Sequence, residues 1–358
     1  MSAIVRAVDV GRGNTKYVAA VAEDGAPRCE MFPSQAQPSE LPHELETWGA
    51  RRKTISIPID GLYYEVGPDV HLAADVFTAN MLQNDHYCAT PEYLALLLGA
   101  VHQMHVEHID LLVVGLPVAT FKQRRWMNEL EKKLRGSHQL GRGKTVTIAA
   151  VKTVAQPTGA LMYYGLLHNK VAALRNERSL IVDPGRRTFD WIVTHGMQQV
   201  EKRSHSVDRG MFDVLQSIAD GIGRNTGSQY RDYDVIDQAL RDGKKPVIFQ
   251  SEYDIAPHLA MANKIPEQAV AEMLRYVGDA ADITNIILVG GAAFFYRKAL
   301  KAAFLRHKIV ELKDPIYANV KGFQYAGAAF INGQGRTGPH AEQAALVPRK
   351  PDTSGAQP

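Results

Sequence analysis

The stretch VDVGRGNTK at Val8–Lys16 returns in the second half of the chain as VDPGRRTFD at Val182–Asp190. In both places an apolar run ends in an aspartate, and a glycine-bearing turn, a hydroxyl residue and a second apolar run follow. Glycine in such a turn permits positive φ and lets backbone N–H groups approach an anion closely. Two loops of this kind in two hairpins predict a duplicated domain whose loops face each other across one nucleotide.

The aspartates Asp9 and Asp183 stand at the ends of the two predicted strands. A carboxylate at such a position carries charge into the site, and we expect only a metal ion or an ordered water to balance it.

Composition places the chain among ordinary globular proteins. Its 358 residues suffice for two compact domains, and 45% hydrophobic with 22% charged residues is typical of a soluble fold. The net charge of +3, from 41 basic and 38 acidic residues, is too balanced to indicate a nucleic-acid surface by itself. No apolar run approaches the roughly 20 residues of a membrane span, and two distant cysteines suit a reducing compartment. We therefore expect a cytoplasmic protein with no membrane partner.

Strand and helix patterns alternate in each half, which predicts an α/β fold with largely parallel sheets. We place the first domain at residues 1–170 plus 319–332, the second at 171–318, and a disordered polar tail at 333–358. Residues 30–90 are predicted to form a small insert in the first domain. Within it, an Asp-Gly pair at 60–61 between alternating apolar runs indicates a hairpin.

Two further segments of the sequence are candidates for ligand binding or catalysis. In IILVGGAA at Ile286–Ala293, the glycines Gly290 and Gly291 permit close approach of a base and sugar, and the following helix start favours phosphate. The alternative is a tight strand-to-helix turn without a ligand. Gln156 follows a predicted strand and starts a predicted helix, so it is suited either to orienting a water molecule or to capping that helix.

In this order, DVGRGNTK (9–16), DPGRRTFD (183–190) and LVGG (288–291) resemble the phosphate 1, phosphate 2 and adenosine motifs of the actin/Hsp70/sugar-kinase superfamily. Within it the chain is most similar to the bacterial actin-like ParM/StbA plasmid segregation proteins, and among these to the protein D group of the PRTRC plasmid system. Three further segments also resemble this group: EVG at Glu65–Gly67, the run Tyr93–Gly99 and ANVKGF at Ala318–Phe323. The resemblance covers residues 3–332.

The resemblance implies two ribonuclease-H-like, actin-type domains, each on a mixed five-stranded sheet, with ATP and Mg²⁺ in a cleft between them. Asp9 and Asp183 would hold Mg²⁺ largely through waters. Gln156 occupies the position of the water-orienting residue, a Glu in ParM and Hsp70, and Gln cannot accept a proton. The implied nucleotide contacts are Gly11, Gly13, Asn14, Thr15 and Lys16 in the first loop, Gly185, Thr188 and Asp190 in the second, and Gly210, Gly290 and Gly291. Arg12 and Arg186, which follow each Asp-x-Gly, are either phosphate ligands or solvent-facing loop tips.

The function implied is an ATPase whose nucleotide state governs self-assembly into filaments that segregate plasmid DNA. Contact with DNA would run through a DNA-binding adaptor rather than directly. A small-molecule kinase of the same superfamily and a weakly hydrolysing, nucleotide-dependent binding protein are the alternatives. We expect the insert at 30–90 to form one end of the filament contact, where Ile57 or Leu62, if exposed, would be a contact residue. The alternative is that the insert only caps the first domain and the protein stays a closed dimer or monomer.

Overall fold

The computed structural model describes residues 3–42, 52–73, 87–121, 123–141 and 143–334. The described chain forms two compact units: the first runs to Ala173 and resumes at Tyr317, and the second is Leu174–Ile316. Residues 333 and 334, expected in the tail, belong to the last helix, and the rest of the predicted tail lies outside the described residues.

The first unit is built on a mixed sheet. Its strands, in chain order, are β1 (Val5–Val10), β2 (Asn14–Val21), β3 (Pro27–Pro33), β4 (Gln37–Ser39), β5 (Ile55–Ile59), β6 (Leu62–Val66), β7 (His108–Leu116), β8 (Gly136–Gln139) and β9 (Thr145–Ala155). Six of them form the main sheet in the order β3-β2-β1-β7-β9-β8. Because β1, β7 and β9 are parallel, their carboxyl ends lie at one edge of the sheet.

The second unit repeats this plan. Its strands are β10 (Arg178–Pro184), β11 (Phe189–His195), β12 (Gln198–Gln199), β13 (His205–Val207), β14 (Val247–Ile248), β15 (Ser251–Glu252), β16 (Asn285–Leu288) and β17 (Ile309–Glu311). The main sheet has the order β12-β11-β10-β16-β17, with β13 also paired to β11, and β14 and β15 form a separate hairpin.

The prediction of five strands in each sheet was wrong, because both main sheets have six in the described residues. Several of the strands that were not anticipated are short or polar, although β3, with seven residues, is not. Strand β8 is GSHQ and largely exposed, while β12 and β13 hold two and three residues. Such segments show no apolar alternation that a sequence pattern could detect.

The helices lie where the apolar periodicity predicted most of them. In chain order they are α1 (Pro91–Gln103), α2 (Val118–Phe121), α3 (Arg124–Leu134), α4 (Gln156–Leu167), α5 (Val171–Leu174), α6 (Met211–Thr226), α7 (Tyr233–Asp242), α8 (Ala256–Ala262), α9 (Lys264–Val277), α10 (Ala293–Ala303) and α11 (Ala318–Gln334). Among them, α1 begins after Thr90, whose hydroxyl accepts a hydrogen bond from the N–H of Tyr93 at 3.2 Å. No helix in the described ranges is long and apolar enough to cross a bilayer.

The amphipathic pattern of residues 121–134 predicts a single helix, whereas in the structure Phe121 ends α2 and α3 begins at Arg124. Gln123 lies between α2 and α3 with non-helical dihedrals, and its carbonyl and side-chain oxygens accept hydrogen bonds from the backbone and ring N–H groups of Trp126. These two bonds start α3 independently of α2.

The described part of the insert contains a small sheet of β4, β6 and β5, and residues 43–51 and 74–86 lie outside the description. The predicted hairpin between β5 and β6 is confirmed, with Asp60 and Gly61 both at positive φ (51° and 84°). Ile57 is fully buried, which excludes it as a contact residue, whereas Leu62 is 38% exposed and meets the condition. The Ile57 side chain faces the core because alternate residues of β5 are buried.

Helix α4, which begins at Gln156, is fixed by a close crossing with α11. A Cβ on Gly159 would collide with the Asn319 carbonyl, and a Cβ on Gly322 would collide with the Gly159 carbonyl. Both positions therefore require glycine. The crossing sets the start of α4 at the edge of the sheet where β1 and β9 end.

Candidate functional site

The first loop is organised around Asp9, which is 1% exposed. The Gly11 N–H donates to the Asn14 carbonyl at 3.2 Å, which closes the turn between β1 and β2. The antiparallel register then pairs Asp9 with Lys16, whose Nζ lies 3.1 Å from Asp9 Oδ2. The expectation that only a metal or water could balance the Asp9 charge was wrong, because Lys16 balances it.

Gln156 joins the same cluster from a different part of the chain. Its Nε2 donates to Asp9 Oδ1 at 2.6 Å. A carboxylate only accepts hydrogen bonds, so the amide nitrogen must face Asp9 and the Oε1 end is directed away from it. The N-cap of α4 is Ala155, with no side-chain cap bond, so the alternative in which Gln156 caps the helix was wrong. Gly115 on β7 leaves space beside this pair, since a Cβ there would lie 3.2 Å from Asp9 Oδ1.

The other residues of the first loop have distinct positions. Gly13 and Asn14 are half-buried, and the Gly13 carbonyl accepts from the Ser34 N–H at 2.9 Å. Thr15 is fully buried, and its hydroxyl lies 2.9 Å from the Ser34 hydroxyl. Thr15 therefore braces the loop with its side chain. Sequence reasoning missed Ser34, which stands in a polar segment without periodicity.

Arg12 is not a solvent-facing loop tip. Its guanidinium lies over the ring of Tyr87, 5.4 Å from the centroid. Burial raises the pKa of Tyr87, so the ring stays neutral and keeps a face available for a cation–π contact.

The second loop joins β10 and β11. The Gly185 N–H donates to the Thr188 carbonyl at 2.8 Å, and the Thr188 hydroxyl donates to Asp190 Oδ2 at 2.6 Å. Asp190 is 4% exposed and pairs in register with Asp183, which is half-buried at the end of β10. The hairpin thus places two carboxylates opposite each other, one of them bonded to the loop hydroxyl.

The first glycine of the third loop packs directly against Asp183. Gly290 has φ of 89°, and a Cβ there would collide with the Asp183 carboxylate and lie 2.6 Å from the Pro184 carbonyl. The Ala292 N–H donates to the same carbonyl at 3.0 Å. Only glycine satisfies both the dihedral and the contact at position 290, so Gly290 is held beside Asp183, whereas a Cβ on Gly291 would meet only the Ile316 side chain, at 3.6 Å.

Gly210 joins the start of α6 to the second loop. A Cβ on Gly210 would lie 2.5 Å from the Arg186 carbonyl. The next two residues, Met211 and Phe212, donate their N–H groups to the carbonyls of Gly185 and Arg186, at 3.0 and 2.7 Å.

Acidic residues hold the arginines of the second loop. Arg186 lies 3.3 Å from the Asp234 carboxylate. The alternative of a solvent-facing loop tip did not anticipate this ion pair. Arg187, which sequence reasoning missed, contacts Asp208 at 3.5 Å and Asp213 at 3.7 Å. Burial raises the pKa of Asp213, and the nearby Arg187 opposes that rise.

A second missed arginine contacts the third loop. Arg241 on α7 donates to the Gly291 carbonyl at 3.0 Å and to Asp237 at 2.9 Å, and its guanidinium lies 4.6 Å from the ring centroid of Phe294. Asp237 is four residues away on the same helix, but the loop partners Gly291 and Phe294 are distant along the chain, so no motif marks Arg241 as a contact of the third loop.

A metal cage made by the protein alone was not found in the described residues, where no group of three or more His, Cys, Asp or Glu side chains is arranged to hold an ion. Each unit instead presents one aspartate at the end of a strand next to a glycine-rich turn.

Two protein-family models match this chain, in order. The model for actin-like proteins, N-terminal domain, matches residues 7–159, and the model for the archaeal actin homologue MreB-like, C-terminal, matches residues 181–302. The chain belongs to the actin-like proteins. Each matched region contains one of the two aspartate-glycine loops, so the family match extends to both halves of this actin-like protein.

Solved structures give the same fold. An archaeal actin homologue, Ta0583, is 23% identical with a TM-score of 0.71, covering 90% of this chain and 98% of that one. It has also been solved in complex with ADP, at 20% identity and a TM-score of 0.67, covering 90% and 98%. A 15-stranded ParM filament from Clostridium botulinum is 17% identical with a TM-score of 0.71, covering 91% and 99%.

At these identities the likeness shows the fold alone. A search of curated protein sequences gave no match for this actin-like protein. The narrower resemblance to the protein D group of the PRTRC system stays a prediction.

Proposed function

We propose that this actin-like protein binds Mg–ATP between its two units, hydrolyses it, and uses the bound nucleotide to control its assembly into filaments that segregate plasmid DNA. The observation that carries the proposal is the buried Asp9 carboxylate, held by Lys16 on one oxygen and by Gln156 on the other. Support also comes from the archaeal homologue solved with ADP and the ParM filament.

The first loop is suited to phosphate. Its turn offers backbone N–H groups, and Lys16 Nζ would lie 3.2 Å from a Cβ placed on Gly11, so an anion over the glycine would also meet the ammonium group. Backbone contacts to the phosphate would come from Gly11, Gly13 and Asn14. Lys16 would supply the positive charge, and Thr15 would brace the loop through its contact with Ser34. In the second unit Gly185, Thr188 and Asp190 would form the matching loop, with Gly210 behind it.

The donor set fits Mg²⁺. This ion prefers one or two carboxylates together with substrate phosphates and retained waters. Asp9 and Asp183 would provide one carboxylate each, and the absence of a side chain at Gly290 leaves room for the Asp183 carboxylate at its place in the loop. When bound, Mg²⁺ would neutralise charge on the phosphate oxygens. Gly290 and Gly291 would then lie along the adenosine.

Gln156 is proposed to orient the attacking water. Because its Nε2 is fixed on Asp9, its Oε1 is the group that would accept a hydrogen bond from the water. It positions the water without removing its proton, so hydrolysis by this chain should be slow for its fold. The same observation favours a second candidate, a nucleotide-dependent binding protein with weak hydrolysis.

Self-association, cytoplasmic location and attachment of plasmid DNA through an adaptor complete the proposal. Arg12 lies over Tyr87, and Arg186 lies beside Asp234. To contact a phosphate, each arginine would leave this partner, so we propose both as additional phosphate contacts.

Calorimetric titration of Mg–ATP, phosphate release and light scattering on ATP addition test the proposal together. We expect binding with one site per chain, phosphate release and ATP-dependent scattering. Binding and scattering with negligible phosphate release would favour the weak-hydrolysis candidate. Absence of nucleotide binding in the wild-type protein would refute both, and a phosphorylated sugar product would favour the kinase alternative.

A further inference from the structure

The end of α10 and the loop after it form an unusually basic surface. Residues 297–308, RKALKAAFLRHK, contain five lysines and arginines and no acidic residue. Because the whole chain has a net charge of +3, everything outside this cationic segment has a net charge of −2. The net positive charge of the protein therefore arises in this segment, which the overall composition conceals.

Most of this charge is uncompensated. Arg297 is neutralised by Glu311, with Nε at 2.5 Å and Nη2 at 2.8 Å from its carboxylate oxygens. The remaining cations of the segment are exposed and take part in no ion pair within the part of the chain that the structure describes: Lys298, Lys301, Arg306 and Lys308. Four solvated charges in one segment produce a positive field that intramolecular pairing does not cancel.

The arrangement extends across a groove. Lys298 and Lys301 are three residues apart on α10 and so lie on one face of the helix. Lys301 also lines a cavity of about 530 Å³ between α10 and β17, and the exposed Lys313 lines its other side. Strand β17 is the last strand of its sheet, so the groove lies at a sheet edge. The helix dipole accounts for a lysine in the last turn of α10 but not for the cations beyond it.

The side-chain types of the cationic segment favour nucleic acid over a protein or a membrane as its partner. Lysine is depleted in protein–protein interfaces, whereas solvated lysine and arginine are the main contacts to nucleic-acid phosphates. A membrane-surface helix would need an exposed apolar face. Of the larger apolar residues of α10, Tyr296 and Leu300 are buried and Phe294 and Phe295 are half-buried. Leu305 is the one large apolar side chain exposed in the segment.

We propose that the cationic segment, together with Lys313, binds the phosphodiester backbone of double-stranded DNA without reading its sequence. The chain would then hold DNA directly, in addition to any adaptor, and this role does not depend on the nucleotide site.

Fluorescence anisotropy with a labelled 24-base-pair duplex, without ATP, tests the proposal over a series of salt concentrations. For B-DNA, log K falls with log salt at a slope of about −0.9 for each phosphate neutralised. We expect Lys298→Gln/Lys301→Gln, and separately Arg306→Gln/Lys308→Gln, to make the slope shallower by about 1.8 and to weaken binding by roughly tenfold or more near 0.1 M salt.

The matched control is Lys132→Gln/Lys133→Gln on α3, which removes the same charge from exposed positions of the other unit. It should leave affinity and slope close to the wild type, and thermal unfolding should verify that every variant is folded. The proposal is overturned if wild-type protein fails to bind the duplex at 50 mM salt, or if the control weakens binding as much as the segment variants do. Binding to phosphatidylserine vesicles or to polyglutamate but not to the duplex would also overturn it.

Discussion

Replacing Gln156 by alanine separates water orientation from nucleotide binding. The substitution removes the Nε2 donor that lies 2.6 Å from Asp9 Oδ1, together with the Oε1 acceptor. The other Asp9 oxygen keeps Lys16 at 3.1 Å. The buried carboxylate therefore keeps its counter-charge and loses one hydrogen bond.

The magnitudes follow from these contacts. A hydrogen bond to a charged group contributes about 1.5–3 kcal/mol, and the retained Lys16 places the loss of folding stability near 1.5 kcal/mol. An unoriented attacking water costs on the order of 100-fold in rate, or about 2.7 kcal/mol of transition-state free energy. ATP affinity should change by less than about threefold, because orienting water acts in the transition state and not in the ground state.

Single-turnover phosphate release and calorimetric ATP binding measure the two effects separately. Thr158→Ala is the matched control, since it truncates a half-buried polar residue in the same turn of α4. It should leave the rate near the wild-type value. Equal losses of rate and affinity in Gln156→Ala, or an unchanged rate, would refute the role assigned to Gln156.

Four other predictions use the remaining contacts. Asp183→Ala should reduce Mg²⁺-dependent hydrolysis by at least about 100-fold with little change in unfolding temperature; unchanged turnover at saturating Mg–ATP would contradict it. Gly290→Ala should lower unfolding free energy by about 2 kcal/mol or more, because of its positive φ and the collision with Asp183, and should weaken ATP binding in calorimetry; wild-type values for both would be the contrary result. Leu62→Glu should leave ATP binding intact and abolish ATP-dependent sedimentation, whereas polymer at the wild-type level would exclude the insert from the contact. The Arg203 hydrogen bond lowers the pKa of Asp282 below its ordinary 3.8, so this pair stabilises the fold above that pH and the benefit is lost as pH falls through the folded-state pKa. Asp282→Asn should therefore be less stable than wild type by under about 1 kcal/mol at pH 7, since the pair is partly exposed, and the two should converge at acid pH in denaturant titrations; a constant difference would contradict the pairing.

Local signals in the sequence were sufficient for most of the fold. The Asp-Gly pair at 60–61 specified a hairpin because both positions need positive φ, and Thr90 before Pro91 specified the start of α1. The repeated aspartate-glycine loops indicated the duplication. Short polar strands such as β8 escaped detection because they bury little apolar surface.

The roles assigned to the site residues stay predictions, and the contacts of these residues could be predicted from the sequence only in part. The Asp9–Lys16 pair follows from the register of one hairpin and could have been derived from the sequence. The Asp9–Gln156 bond depends on β1, β7 and β9 being neighbours, which no local pattern states. The contact of Arg187 with Asp213 on α6 and that of Arg241 with the Gly291 carbonyl likewise join segments distant along the chain, so they required the tertiary structure.

A crystal structure of the wild-type protein with Mg²⁺ and a non-hydrolysable ATP analogue tests the central claim most directly. We predict one nucleotide whose phosphates contact both the Gly11–Lys16 turn and the Gly185–Thr188 turn, with the metal between Asp9 and Asp183. A nucleotide contacting only one unit, or bound away from both aspartates, would contradict the account.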